Sequence, residues 1–276
     1  MPDKPSHRSH SQLEQDIGAA RTATGPLLEN LLYHTSSEVL SALLENPRLG
    51  ESHVTVLLSR KDLPRDMIRQ IAQNREWMKS YSLKLAVVKH PHAPRHFSFP
   101  MLKHLYLFDL MGIAATPGTP PDLRRQAEDA IFAQRERIAL GQRLTLARRG
   151  SSRIAGGLLN DPDPKVLESA LQNPYLTEIE VSNALYRPQA NSCLTDTLLE
   201  DSRWINRRLV KLALLRSEFL SLGHFMDLLS RLNIQDLADV AEDARIAHNL
   251  REYAGKLLKS RQASQRRKIN ARQASK

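Results

Sequence analysis

Apolar residues along this chain fall at helical spacing in short bursts, each closed by a turn signal. Val39, Leu40, Leu43 and Leu44 line one face and stop at Asn46-Pro47. Pro64 stands where a first helical residue is expected, ahead of Met67, Ile68 and Ile71. Leu83, Leu85, Val87 and Val88 lead into His90-Pro91, and Pro120-Pro121 opens a stretch carrying Leu123, Ala127, Ala130 and Ile131. No long stretch alternates apolar with polar residues as a half-buried strand does. Asn-Pro, Asp-Pro, His-Pro and Pro-Pro signals recur at short intervals. The pattern predicts an all-α chain of short helices. Such helices cannot bury their apolar faces alone and gain stability by stacking on one another.

The pattern also repeats. VLSALLENPRLGESHV from Val39 resembles VLESALQNPYLTEIEV from Val166, an offset of 127 residues that holds without a gap for about a hundred positions. Asn46-Pro47 falls on Asn173-Pro174, Lys84-Leu85-Ala86 on Lys211-Leu212-Ala213, Asp109-Leu110 on Asp236-Leu237, and Leu123-Arg124 on Leu250-Arg251. The only two tryptophans, Trp77 and Trp204, are also in register. Residues 38–135 and 165–262 share 22 identities in 98 positions, against roughly eight by chance at ordinary composition. The expectation is a tandem duplication of a 127-residue unit stacked as an α-solenoid. Its parts are a polar, flexible segment over 1–25, a first unit over 26–135, a helical bridge over 136–152, a second unit over 153–262 and a basic, disordered tail over 263–276.

Asn46-Pro47-Arg48-Leu49, Asn173-Pro174-Tyr175-Leu176 and Asp161-Pro162-Asp163-Pro164-Lys165-Val166 resemble the motifs of bacterial leucine-rich-repeat-variant and HEAT-like repeat proteins. The resemblance covers most of 26–262 and implies an α-solenoid used mainly for binding. The repeat-variant family further implies an iron–sulfur cluster held by cysteines near the N-terminus. Cys193 is the only cysteine here, so that cofactor does not transfer, no intrachain disulfide can form, and no cofactor is expected.

Composition refines this picture in two places. With 276 residues, 41% apolar and 25% charged, the chain can bury a sizeable core. Its net charge of +10 looks like a nucleic-acid signal until it is mapped. Residues 253–276 hold eight basic residues and no acid, residues 1–25 balance three against three, and the body keeps 29 basic against 27 acidic residues. The tail KSRQASQRRKINARQASK therefore carries most of the excess. The opening MPDKPSHRSHSQ has no apolar stretch of a signal peptide, and no run is long enough to span a bilayer, so a cytoplasmic location is the expectation.

Candidate chemistry is sparse. His90, His92, His96 and His104 form the densest unusual cluster, but the positions 127 residues later hold Ser217, Phe219, Gly223 and Arg231. A solvated loop and helix face is the plainer reading than a metal site. Trp77 and Trp204, with Asn46, Pro47, Asn173 and Pro174, are expected as structural anchors of the repeat. Basic residues gather around each tryptophan: Arg75, Lys79, Lys84 and Lys89 in the first copy, and Arg203, Arg207, Arg208, Lys211 and Arg216 in the second. They are the candidate binding surface, able to meet phosphates if they line one face. There is no glycine-rich phosphate loop, no H-E-x-x-H and no G-x-S-x-G, and Glu128-Asp129 and Glu242-Asp243 read as exposed helix charges. The expected function is a non-enzymatic scaffold that binds a protein partner. Nucleic-acid binding through the basic rows and the tail is the alternative.

Overall fold

The computed structural model describes residues 6–274, with side chains placed over residues 12–267. Among the described residues every regular element is helical, and the chain divides into two compact units, one ending at Arg137 and the other beginning at Ile138. The first unit contains α1 (Ser6–Thr22), α2 (Gly25–Leu31), α3 (Ser37–Leu44), α4 (Glu51–Ser59), α5 (Arg65–Gln73), α6 (Tyr81–Lys89), α7 (Arg95–Leu102), α8 (Leu107–Ala115) and α9 (Pro121–Phe132). The second contains α10 (Leu140–Arg149), α11 (Ser152–Gly157), α12 (Pro164–Leu171), α13 (Glu178–Leu185), α14 (Ser192–Glu200), α15 (Ser202–Ile205), α16 (Arg208–Leu214), α17 (Leu222–Ser230), α18 (Ile234–Glu242) and α19 (His248–Ala274).

Eight helices of the first unit, α2 to α9, each begin 127 residues before a helix of the second, from Gly25 and Ser152 to Pro121 and His248. In both units alternate helices pack. In the first, α1 lies on α3, α3 on α5, α4 on α6 and α7 on α9; in the second, α10 lies on α12, α12 on α14, α11 on α13 and α13 on α16. Each unit has its own core. Val39, Leu40, Leu43, Leu57, Met67, Ile71 and Leu83 are fully buried in the first, and Val166, Leu167, Val181, Leu194, Val210 and Leu228 in the second.

Most of these helices are only 6 to 12 residues long. Each helix leaves its last carbonyls without intrahelical partners, so short helices multiply orphan groups. Side chains from the next helix pair supply the missing donors. Asn46 is buried, and its amide donates to the carbonyls of Ala20 and Ala23 at 2.9 and 3.0 Å while its Oδ1 accepts from Arg48 N at 2.9 Å. Asn173 does the same 127 residues later, donating to Ala147 and Gly150 at 2.7 and 3.1 Å and accepting from Tyr175 N at 2.7 Å. Arg60 donates to the carbonyls of Leu32 and His34 at 2.5 and 3.0 Å, and Arg187, at the matching position, donates to Gly156 at 2.6 Å. Gly156 leaves room for Glu180 of α13, whose carboxylate would stand 2.7 Å from a Cβ there.

Three segments have these surroundings in the fold. Residues 12–25 belong to the first unit: α1 packs on α3, and Ala20 and Ala23 are buried beneath the Asn46 bonds. The stretch 136–152 is helical over α10, which packs on α12 as α1 packs on α3. At the other end α19 runs on through Ala274, over residues with good helix propensity and without proline, and the side chains of 262–267 are exposed. Residues 275–276 of the expected tail, and 1–5 of the expected N-terminal segment, lie outside the described residues.

Replacing Asn46 or Asn173 by Ala leaves two buried carbonyls without donors in each case. Each change should lower stability by roughly 2–4 kcal/mol in urea denaturation. A loss below about 0.5 kcal/mol would show that these bonds do not hold the units together.

Candidate binding surface

The two tryptophans and the basic rows lie along α6 and α16 and on the turns that flank them, while Asn46-Pro47 and Asn173-Pro174 follow α3 and α12. Trp204 lies in α15, 3% exposed, and its indole Nε1–H donates to the carbonyl of Leu171, the last residue of α12, at 3.2 Å. Arg203 stacks on its ring at 4.8 Å and donates to the same carbonyl at 3.4 Å. Trp77, in the 3-10 turn Trp77–Lys79, is only partly buried against the first core. The two tryptophans are in register but not equally enclosed.

Five of the nine candidate basic residues are engaged within their own unit. Lys79 pairs with Glu76 at 2.7 Å, Lys89 approaches Asp109 at 3.8 Å, and Arg203 is stacked as described. Arg208 reaches Asp236 at 2.6 Å and Asp239 at 3.5 Å, and the hydrogen bond to Asp236 followed by its charge raises the pKa of the guanidinium. Arg216 meets Asp243 at 2.5 Å and donates to Tyr186 Oη at 2.7 Å. Asp243 also accepts from Arg245 at 3.0 Å, and these bonds, that of Arg245 foremost, hold its carboxyl well below the usual carboxylate range. Arg75, Lys84, Arg207 and Lys211 have no ion-pair partner among the described residues.

The same positions carry ties in both units, often with different chemistry. Tyr81 Oη donates to Asp109 and links α6 to α8, where Arg208 pairs with Asp236 and links α16 to α18. The Tyr81 ring also packs on Tyr106 at 4.4 Å, and burial, then the bond to Asp109, pushes its hydroxyl pKa up. Glu51 accepts from Ser80 and Ser82 at 2.5 and 2.6 Å, which lowers its pKa; Glu178 accepts from Leu209 N. Asp16 lies 3.8 Å from His34 Nε2, and the matching pair reverses polarity, with Arg143 Nη1 at 2.8 Å from Asp161. Identity matching misses this last tie because neither residue is retained.

The four histidines do not converge. His90 is buried; its Nε2 donates to the Arg60 carbonyl at 2.8 Å and its Nδ1 accepts from His92 N at 3.2 Å. His92 Nδ1 bonds the Leu63 carbonyl at 3.1 Å, His96 stacks on Phe97 at 4.2 Å, and His104 is exposed. No group of three His, Cys, Asp or Glu side chains suited to a metal ion occurs among the described residues. Nor, among them, is any helix long and apolar enough to cross a membrane.

One feature escaped residue-type reasoning. In the second unit Tyr175, Ile179 and Leu209 are 64%, 60% and 37% exposed. The first unit has Arg48, Ser52 and Ser82 at those positions. Ile179 and Leu209 are the second residues of α13 and α16, which pack together, and Glu178 accepts the Leu209 N–H between them. An exposed apolar residue is unremarkable in sequence, and comparison of the two units at the 127-residue offset singles these out. Comparison with family models, curated proteins and solved structures gave no match.

Two measurements check this geometry. Trp204→Ala should cost about 3–5 kcal/mol, and Trp77→Ala clearly less because its side chain is only partly enclosed; equal losses would contradict the difference in burial. Burial, ahead of the opposing bond to Arg60, lowers the pKa of His90 from 6.5. The folded state therefore resists taking a proton that the unfolded chain accepts, so stability is full above 6.5 and falls as pH drops through that value. Melting temperature should fall between about pH 7.5 and 5.5, and His90→Gln should flatten part of that slope. An unchanged slope would remove His90 from the account.

Proposed function

We propose that the chain is a non-enzymatic scaffold, a HEAT-like α-solenoid made by tandem duplication, whose second unit binds a protein partner through Tyr175, Ile179 and Leu209. The matching helix starts and the paired Asn46 and Asn173 bonds support the duplication. The observation that carries the functional reading is the contrast between the copies. The first unit builds the same helices with Arg48, Ser52 and Ser82, so the scaffold itself has no need of apolar groups there. Large apolar side chains left in water on packed, adjacent helices suit a partner that buries them, and aromatic anchors carry much of the energy of such contacts.

Nucleic-acid binding is the second reading. Arg75, Lys84, Arg207 and Lys211 support it, as does the run of exposed cations Lys259, Arg266 and Arg267 on α19. Against it stands the engagement of the other five candidate cations, four of them paired with carboxylates and Arg203 stacked on Trp204.

The experiment that separates the readings uses the full chain as bait, with nuclease added, beside the triple variant Tyr175→Arg, Ile179→Ser and Leu209→Ser. These substitutions install the first unit's residues and should keep the fold. The scaffold reading expects nuclease-resistant protein capture that the triple variant loses by tenfold or more. Capture that disappears with nuclease, or binding to DNA or RNA that falls steeply with salt and is abolished by Arg207→Glu, would favour the second reading instead.

A further inference from the structure

An open groove of about 400 Å³ lies in the second unit, lined by Leu144, Thr145 and the two arginines Arg148 and Arg149 of α10, and by Ser169 of α12. Arg148 and Arg149 are exposed, and neither has a partner among the described residues. Cations in the last turn of a helix face its negative end, so their presence alone has a structural explanation.

The first unit again supplies the control. At the matching positions it has Ile17, Gly18, Arg21, Thr22 and Ala42, with Glu45 where the second unit has Gln172. There Arg21 Nε lies 3.1 Å from Glu45 Oε2, and the charge is answered inside the fold. The second unit keeps that arginine as Arg148, replaces its acid by a neutral amide, adds Arg149, and places hydroxyls at Thr145 and Ser169. Helix-end electrostatics accounts for an arginine in either unit. It does not account for removing the counter-charge while adding a second cation and two hydroxyls around an open groove.

We propose that this groove binds a single phosphate monoester. Two guanidinium groups offer forked N–H donors that match an oxyanion and its double charge. The Ser169 hydroxyl adds a donor, and Leu144 offers an apolar wall to the carbon that carries the phosphate. The Thr145 hydroxyl already donates to the Gly141 carbonyl at 2.9 Å, so the donors to the oxyanion come from the two arginines and Ser169. Glu168, exposed beside Ser169, opposes a second negative charge and favours one phosphate over a nucleic-acid backbone. The site is independent of the apolar surface at Tyr175, Ile179 and Leu209.

The test titrates phenyl phosphate into the full chain and follows the arginine Nε–Hε resonances. Saturable shifts at Arg148 and Arg149 are expected, with a Kd on the order of 1 mM. The double variant Arg148→Gln/Arg149→Gln should weaken binding by about tenfold or more. Gln172→Glu, which rebuilds the first unit's ion pair on Arg148, should weaken it by roughly threefold or more, while Arg21→Gln should leave it unchanged. Circular dichroism of each variant confirms that the fold is kept. A phosphoserine peptide binding about tenfold tighter than phenyl phosphate would identify a phosphorylated protein as the source, and equal affinity a small phosphorylated molecule. Absence of saturable shifts up to about 20 mM would overturn the proposal. So would full affinity in the double variant or in Gln172→Glu, or an oligonucleotide that outcompetes both phosphate probes. Because no protein partner is present in the titration, its failure leaves the proposed scaffold surface standing, and failed protein capture leaves the phosphate site standing.

Discussion

A chain cut into helices of two or three turns must satisfy an unusually large number of helix ends. Every end exposes backbone groups that cost free energy if they are buried without partners. Here the donors come from side chains lying 23 to 33 residues away along the sequence: Asn46 and Asn173 on the ends of α1 and α10, Arg60 and Arg187 on α2 and α11, Trp204 on α12. His90 and Arg261 do the same for the carbonyls of Arg60 and Leu232. The apolar faces supply most of the driving force for packing, but that force is non-directional. The polar ties give each helix pair a defined seat on its neighbour.

This requirement explains why arginine count is a poor guide to function in this chain. Arg60, Arg187, Arg203 and Arg261 end on backbone carbonyls, and Arg143, Arg208 and Arg216 end on the carboxylates of Asp161, Asp236 and Asp243. A guanidinium with five donors suits both tasks. Informative cations are those the fold leaves unanswered, and the clearest of these line the groove at Arg148 and Arg149.

The all-helical class was legible because proline and asparagine punctuate the apolar periodicity so regularly, and the 127-residue offset recurs in the helix starts. The role of Asn46 and Asn173 was visible as retained identity but not as chemistry, since the carbonyls they serve lie on α1 and α10, outside the stretch that aligns well. For the same reason α1 read as a polar leader. Its fully buried apolar contribution is Ala20, with Ala23 just beyond its end, and the larger Leu13 and Ile17 are only partly covered, which leaves little trace in a hydropathy pattern. Trp77 and Trp204 looked equivalent because identity in register says nothing about how much covers a side chain. The candidate surfaces were hidden for another reason: they consist of positions where the two units differ, and matching at the 127-residue offset rewards positions where they agree.

The carbonyl ties can be measured directly through the side-chain amide protons of Asn46 and Asn173. In hydrogen exchange followed by NMR, both NH2 groups should be protected as strongly as the backbone amides of α3 and α12, while the amide of exposed Asn183 exchanges freely. Rapid exchange at Asn46 and Asn173, with the neighbouring backbone still protected, would contradict the account.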